Sequence, residues 1–370
     1  MSLNDELQAM RAEIRTDDYT MSIGEWISLY ESDELDVHPE FQRFFRWTDY
    51  QKTRLIESIL LGIPIPLIFV AQRPDGVWDV VDGVQRLSTI FQFAGILHDE
   101  QGNTQLPLVL ERTEYLPSLE GLYWEHDDSD KSLTAAQRLQ IKRSKLGVSI
   151  ILKESDDRTK YDLFQRLNTG GSPLSDQEVR NCILVMANRD CYAWLRELAN
   201  DEAFKECIAL TDRAIDEQYD MELALRFIVF RALASDELTN IGDLNMFLTN
   251  RMLEFANRDA SVWSKDAESF RSVFSTLSNI TKSDSFRRFD PQRDRFIGGF
   301  LISAFEVIAL GLGYNVDHGI PTDAAIGSQI RNLWSNTVFR TSSGAGIRAS
   351  TRIPRVLPLG RELFSAGTRT

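Results

Sequence analysis

The chain has 370 residues, of which 43% are hydrophobic and 26% are charged, and its formal net charge is -14. This length allows two or three domains with hydrophobic cores, and the composition is ordinary for a globular protein. The acidic balance argues against a protein that coats nucleic acid indiscriminately, because such binding depends on Lys and Arg side chains that neutralise phosphates.

The three cysteines, Cys182, Cys191 and Cys207, are odd in number and lack close pairing. They fit neither a disulfide framework nor a zinc knuckle, and they predict buried thiols in a reducing compartment. Residues 1–20 are charged and contain no apolar core of signal-peptide length, and no run of about 18 apolar residues occurs in the chain. We therefore predict a cytoplasmic protein that has no membrane partner.

The first distinctive segment, His38 to Trp47, contains two arginines and four aromatic residues. A helix is predicted directly after it, because Thr48 and Gln51 have capping-box spacing and Gly62, followed by two prolines, is a typical stop. The predicted buried stripe of this helix comprises Leu55, Ile56, Ile59 and Leu60.

Two apolar runs, 67–70 and 77–81, follow this helix and are separated by the turn-forming residues 73–76. This pattern predicts a β-hairpin. Its second strand leads into the sequence Asp-Gly-Val-Gln-Arg at positions 82–86, after which apolar residues recur at helical spacing as far as Gly95. The N-cap of this helix is therefore expected at Asp82 or Gly83.

This junction is a candidate phosphate site. Free backbone N–H groups, the positive end of the helix dipole and the guanidinium of Arg86 would all meet in one small volume. The alternative is a purely structural junction, in which Asp82 caps the helix and Arg86 pairs with a surface carboxylate.

A second junction is predicted near residue 170. A helical stripe precedes the segment 168–171, and Ser175 and Glu178 again have capping-box spacing, so a helix should begin at Ser175 or Asp176. The residues between form a tight loop, for which a plain helix-loop-helix connector is one interpretation.

Residues 97–147 are acidic and irregular, with an exposed loop expected over 125–130. Helical spacing dominates from about residue 182 onward, and the apolar run 296–310 predicts a central helix of a bundle. A basic cluster, Arg287 and Arg288 with Arg293 and Arg295, is interrupted by two aspartates and is typical of a solvated turn.

The end of the chain is basic. Residues 331–370 contain seven arginines, no lysine and one acid, which gives +6 and leaves -20 for the rest of the chain. Arg348, Arg352 and Arg355 are candidates for contacts with DNA phosphates. The alternative is that these arginines pair with the acidic body of the protein.

Several of these segments resemble, in the same order, the N-terminal domain of GmrSD-type restriction endonucleases, a family with a ParB/sulfiredoxin-like fold. The resemblance covers residues 20–185 approximately, and its signatures stand here as Phe41-Gln42-Arg43 with Trp47, Gly62-Ile63-Pro64-Ile65-Pro66, Asp82-Gly83-Val84-Gln85-Arg86 and Phe164 to Gly171. The family pattern has Gln where this chain has Val84. The resemblance implies an α+β class, with a ParB/sulfiredoxin-like domain over residues 1–180 and an all-helical domain over 181–370.

The resemblance also implies binding or hydrolysis of a nucleoside triphosphate (NTP) with Mg²⁺, coupled to DNA restriction or phage defence. On this interpretation Asp82 holds the metal, Gln85 positions the attacking water and Arg86 holds phosphate oxygens. The residues expected to bind the nucleotide are Phe41, Gln42, Arg43, Gly83, Arg86, Asn168, Gly170 and Gly171.

Two alternatives remain open from the sequence. The chain could be a nucleotide-sensing or DNA-binding module that hydrolyses nothing and positions a partner nuclease, or its ParB-like domain could itself nick DNA. The four histidines form no cluster that resembles a His-Asn-His nuclease. A nuclease, if the system cuts DNA, is therefore expected on a separate subunit.

Overall fold

The computed structural model describes residues 16–37, 47–99, 101–152, 175–344 and 346–366. The chain divides into two compact units, residues 1–173 and 174–370. The predicted boundary after residue 180 lies inside the helix Asp176–Ala187, a few residues beyond this division.

The first unit is built on a five-stranded mixed sheet with the order β1-β5-β3-β4-β2. The strands are β1 (Thr16–Ser22), β2 (Leu35–Asp36), β3 (Ile68–Gln72), β4 (Trp78–Asp82) and β5 (Lys145–Ile151). β1 runs antiparallel to β5 and β4 antiparallel to β3, whereas the pairs β3 with β5 and β2 with β4 are parallel. The helices of this unit are α1 (Ile23–Glu31), α2 (Asp49–Leu61), α3 (Val84–Phe93) and α4 (Ala135–Arg143).

The predicted hairpin is confirmed as the pair β3 and β4. In its turn, the Arg73 amide donates to the Val77 carbonyl (2.9 Å), and Gly76 adopts a φ of 94°, which favours glycine. The Arg73 guanidinium bonds to Asp36 (2.5 Å) and to the buried Asp79 (Nε to Oδ1, 2.7 Å). The turn therefore joins β4 to the adjoining strand β2.

The predicted helix before the hairpin is also confirmed. α2 begins at a complete Thr48–Gln51 capping box and ends at Gly62, which has a φ of 71°. Leu55, Ile56 and Ile59 are buried, as the apolar spacing predicted, whereas Leu60 is only half-buried. The second capping box, Ser175 with Glu178, is confirmed as well, at the start of the helix Asp176–Ala187.

Three strands of the sheet, β1, β2 and β5, were not predicted from the sequence, and neither was the helix α4, which lies in a region predicted to be irregular. β5 lies between β1 and β3, in a region whose first part was predicted to be irregular. Its residues 148–151 are buried without alternation, as expected of an inner strand covered on both faces. Such a short apolar run does not show the period of two by which half-buried strands are recognised.

The second unit is mainly helical, and the α+β class is confirmed. Its α-helices are α5 (Asp176–Ala187), α6 (Arg189–Ala199), α7 (Glu202–Ile208), α8 (Asp212–Asp216), α9 (Tyr219–Arg231), α10 (Leu244–Ala256), α11 (Ala260–Ile280), α12 (Ile302–Asn315), α13 (Asp323–Asn332), α14 (Thr337–Ser342) and α15 (Ala349–Leu363). One two-stranded hairpin, β6 (Arg288–Asp290) with β7 (Arg295–Ile297), is added to the predicted helical arrangement.

The predicted central helix exists, but it begins later than its apolar run. α12 starts at Ile302, and most of its residues are buried. Phe296 belongs to β7 instead. Gly298, with a φ of 77°, changes the direction of the backbone between this strand and the helix. The apolar run therefore covers two elements.

α12 and α15 pack with their backbones in close approach. A Cβ atom at Gly360 would overlap the Val307 carbonyl, and one at Gly311 would overlap the Gly360 carbonyl. The Asn315 amide donates to the Arg361 carbonyl (2.8 Å). Only glycine allows this approach, which joins the arginine-rich C-terminal helix to the central helix.

The predicted burial of the thiols is confirmed, since Cys182, Cys191 and Cys207 are all free and buried. Among the described residues, no helix combines the length and the apolar character needed to cross a membrane.

Candidate functional site

The candidate site lies where β4 ends and α3 begins. Asp82 is the last residue of β4, and Gly83 is the N-cap of α3 with a φ of 101°, a left-handed conformation that side chains disfavour. A Cβ atom at position 83 would also overlap Cδ1 of the buried Ile68. The φ value therefore favours glycine at this position, and any side chain would also require that of Ile68 to shift.

Arg86 lies in the first turn of α3 and points back across the junction. Its Nη2 bonds to Asp82 Oδ2 (2.8 Å), and its Nη1 donates to the carbonyls of Pro66 (2.5 Å) and Leu67 (3.1 Å). The guanidinium therefore connects the end of β4 with the segment that enters β3.

These contacts determine which N–H groups of Arg86 remain free to bind a ligand. The side chain is 11% exposed, against 37% for Asp82. Arginine carries five N–H groups, and the two on Nη1 are used by main-chain carbonyls. A phosphate contact by Arg86 would have to use Nε or the second Nη2 hydrogen, while Asp82 remains the more accessible member of the pair.

Neither sequence interpretation of the junction describes it completely. The helix N-terminus receives no side-chain cap, so the predicted capping by Asp82 is not observed. Arg86 does pair with a carboxylate, but that carboxylate is Asp82 itself. The first-turn amides of α3 therefore lie beside an acid that is already balanced by a guanidinium.

The two remaining residues of the motif occupy different surroundings. Val84, where the family pattern has Gln, is half-buried and packs against the hydrophobic core of the first unit. Gln85 is half-buried at the junction. The departure from the family pattern thus places an apolar side chain on an apolar surface.

Several predicted site residues lie outside the described residues. These are the candidate nucleotide-binding residues Phe41, Gln42, Arg43, Asn168, Gly170 and Gly171. Within the described part of the chain, no group of three or more His, Cys, Asp or Glu side chains is arranged to hold a metal ion.

The three candidate DNA-binding arginines differ in their surroundings. Arg348 and Arg355 are exposed on or beside α15. Arg352 instead bonds to Glu306 through Nε (2.6 Å) and Nη2 (2.9 Å) and is largely buried. The alternative of pairing with the acidic body is therefore correct for Arg352, and we no longer expect this residue to contact DNA.

Arg352 belongs to a buried ionic network within the second unit. Glu306, which is fully buried, also accepts from Arg226 (3.2 Å), and Arg226 in turn bonds to Glu222 (2.6 Å). Glu222 also binds the fully buried Arg180 (2.6 Å). Burial opposes the ionisation of Glu222, but Arg226 and Arg180 outweigh it and hold the pKa of this carboxyl below its ordinary value.

Sequence reasoning missed the partners of both key arginines. The Pro66 and Leu67 carbonyls lie about twenty residues before Arg86, and Glu306 lies 46 residues before Arg352. For Arg86 a signal was present, because the Gly-Ile-Pro-Ile-Pro segment recurs in the resembled family together with the arginine.

In the first unit, a strand of a small mixed sheet ends at Asp82 and leads through Gly83 into the helix α3. This strand-to-helix junction is the class of site that the first unit contains. Residues 23–185 match the family model described as the GmrSD restriction endonuclease, N-terminal domain. The match confirms the resemblance that the sequence motifs predicted, and that family implies a role in DNA restriction or phage defence. The comparison with curated proteins found no match.

Proposed function

We propose that this protein binds a nucleoside triphosphate with Mg²⁺ at the junction of β4 and α3 and hydrolyses it as part of DNA restriction. The observation that carries the proposal is the combination of a left-handed Gly83, an uncapped helix N-terminus and an accessible Asp82 fixed by Arg86. Main-chain amides at such a helix start suit phosphate oxygens, and a carboxylate beside them suits a magnesium ion.

In this proposal the residues of the junction have separate tasks. Asp82 holds Mg²⁺ directly or through water, and the first-turn amides of α3 bind phosphate oxygens. Gln85 orients the attacking water. Because both Nη1 hydrogens of Arg86 are used within the protein, its main task is to position Asp82, and any phosphate contact is made by its remaining donors.

The test measures phosphate release and equilibrium binding by the purified full chain with GTP, ATP and CTP, with and without Mg²⁺ and a DNA duplex. Asp82→Asn should lose metal-dependent release. Glu217→Gln is a matched control, because Glu217 is also a carboxylate in an i,i+4 pair with an arginine but lies in the second unit. Absence of triphosphate binding by the native chain would contradict the proposal.

The same experiment separates the alternatives. Binding of triphosphate without release would favour a sensing module that positions a partner nuclease. Nicking of supercoiled plasmid by the chain alone, without nucleotide, would instead favour a nuclease activity of the ParB-like domain.

A further inference from the structure

A cavity with a cationic lining lies entirely within the second unit, beside the hairpin β6–β7. An open cavity of about 560 Å³ lies between this hairpin, the end of α11 and the end of α13. Four cations and two carboxylates line it, so its lining has an excess of two positive charges: Lys282, Arg287, Arg295, Arg331, Asp284 and Asp294. This excess is notable in a chain whose net charge is -14.

The lining cations are not all engaged in the same way. Arg287 is committed to the fold, since its Nη1 pairs with Asp284 (2.9 Å) and its Nε donates to the Gly298 carbonyl (2.6 Å). Within the described ranges, Lys282, Arg295 and Arg331 take part in no ion pair, and all three are exposed. Three cations of the cavity are therefore available to an anion.

Arg331 is held by an aromatic ring. Its guanidinium lies over the ring of Phe289 at 5.6 Å, and that ring packs against Phe296 at 5.1 Å. A guanidinium stacked on an aromatic face is oriented while its N–H groups remain free. By contrast, the buried Arg226 and Arg352 have their donors taken up by carboxylates.

This geometry favours a phosphate group. An oriented guanidinium can bind two oxygens of one phosphate, and neighbouring Lys and Arg side chains add charge without a fixed geometry. The cavity is open at the surface, and the exposed Arg288 extends the cationic surface beyond it, whereas Arg293 pairs with Asp290 (3.7 Å). An extended polyanion therefore fits this surface better than one small ion does.

We propose that this surface, the hairpin pocket, binds the phosphodiester backbone of DNA. The choice of DNA as the polyanion rests on the proposed role in DNA restriction. The surface itself is separate from the proposed triphosphate site at the junction of β4 and α3. The cluster of residues 287–295, which the sequence indicated to be a solvated turn, forms part of this pocket.

The test measures binding of a fluorescein-labelled 20-base-pair duplex by fluorescence anisotropy over a series of salt concentrations. The double variant Arg295→Gln/Arg331→Gln should bind at least about tenfold more weakly at 0.1 M salt, and its slope of log K against log salt should fall by about 2. Arg213→Gln, which removes one charge from a side chain 87% exposed elsewhere on the second unit, should change both quantities by less than the double variant does. Arg331→Lys should keep the charge and lose part of the affinity.

Competition and nucleotide binding distinguish the possible failures. If inorganic phosphate or a triphosphate at micromolar concentration displaces the duplex, the pocket is a site for a free phosphate compound and the proposal is wrong. If the native chain binds triphosphate but no duplex, the pocket proposal fails while the junction proposal stands. Loss of duplex binding in the double variant with unchanged triphosphate binding would support the pocket, whether or not the triphosphate is hydrolysed. Equal duplex binding by the native and double-variant chains, with matching melting temperatures, would overturn it.

Discussion

A Cβ atom at Gly83 would overlap Cδ1 of Ile68, so the start of α3 lies directly against the side chain of a buried residue in β3. This contact limits how closely the start of α3 can approach β3. It also gives a steric reason for glycine at position 83.

Gly83→Ala should therefore destabilise the first unit more than the same change at Gly76. Both glycines have positive φ values, but nothing lies within 4 Å of a Cβ at Gly76. We expect Gly76→Ala to cost about 1 kcal/mol from backbone strain, and Gly83→Ala to cost about 1–3 kcal/mol more from overpacking. Urea unfolding of both variants measures the difference.

The double variant Ile68→Val/Gly83→Ala provides the control. Removing Cδ1 of Ile68 should recover part of the additional cost, although Cγ2 remains 3.4 Å from the added Cβ. Identical losses in Gly83→Ala and Gly76→Ala would show that the contact with Ile68 carries no energy.

Asp82→Asn and Arg86→Ala should be coupled. Arg86→Ala removes two bonds to main-chain carbonyls and one to Asp82, and we expect it to cost about 2 kcal/mol. Because the two residues share a bond, the double variant should cost less than the sum of the single variants, by about 1 kcal/mol. A double-mutant cycle from denaturant unfolding gives this coupling, and additive losses would contradict the observed pair.

Arg352→Ala should lower stability far more than Arg355→Ala does. The first leaves the fully buried Glu306 with one arginine instead of two, and should cost about 3–5 kcal/mol. Arg355 is exposed, so its loss should change stability by less than about 0.5 kcal/mol. If Arg355 contacts DNA, its variant should bind the duplex more weakly while its melting temperature stays unchanged.

The second unit should lose stability in acid. Since the pKa of Glu222 is lowered in the folded state, its ionic contacts contribute fully above its unfolded pKa of about 4.5 and are lost as the pH falls through the folded value. Glu222→Gln should lower stability at pH 7 and flatten this decline below pH 4.5, as measured by urea unfolding between pH 3 and 7. A variant with the same acid decline as the native chain would exclude Glu222 as its source, and Glu217→Gln serves as the exposed control.

The cysteines should be inert in the folded chain. Burial raises the pKa of Cys191 to about 12, and raises that of Cys207 to about 12 as well. Thiols with such pKa values carry almost no thiolate at pH 8, so a thiol reagent should react slowly until denaturant is added. Rapid modification of the native protein would show that the helices around them open readily.

The sequence patterns predicted several local features and missed the distant pairings. The hairpin, the capping boxes of α2 and α5 and the stop at Gly62 depend on residues close together in the chain, and all were predicted. The capping boxes Ser22–Glu25 and Thr134–Gln137 are equally local and were not predicted. The position of β5 within the sheet and the partners of Arg86 and Arg352 depend on segments that meet only in the folded chain. A spacing pattern relates residues that are within one or two helical turns of each other. It does not predict which carbonyl or carboxylate from a distant segment will contact a given arginine.

The close approach of Gly311 and Gly360 bears on how the basic end of the chain can be studied. Because α15 touches the central helix without intervening side chains, the arginines of α15 lie on a helix that is packed into the core of the second unit. Removal of α15 by truncation would expose to water the apolar surface of α12 against which α15 packs. The contribution of each arginine has to be measured by replacing it individually in the intact protein.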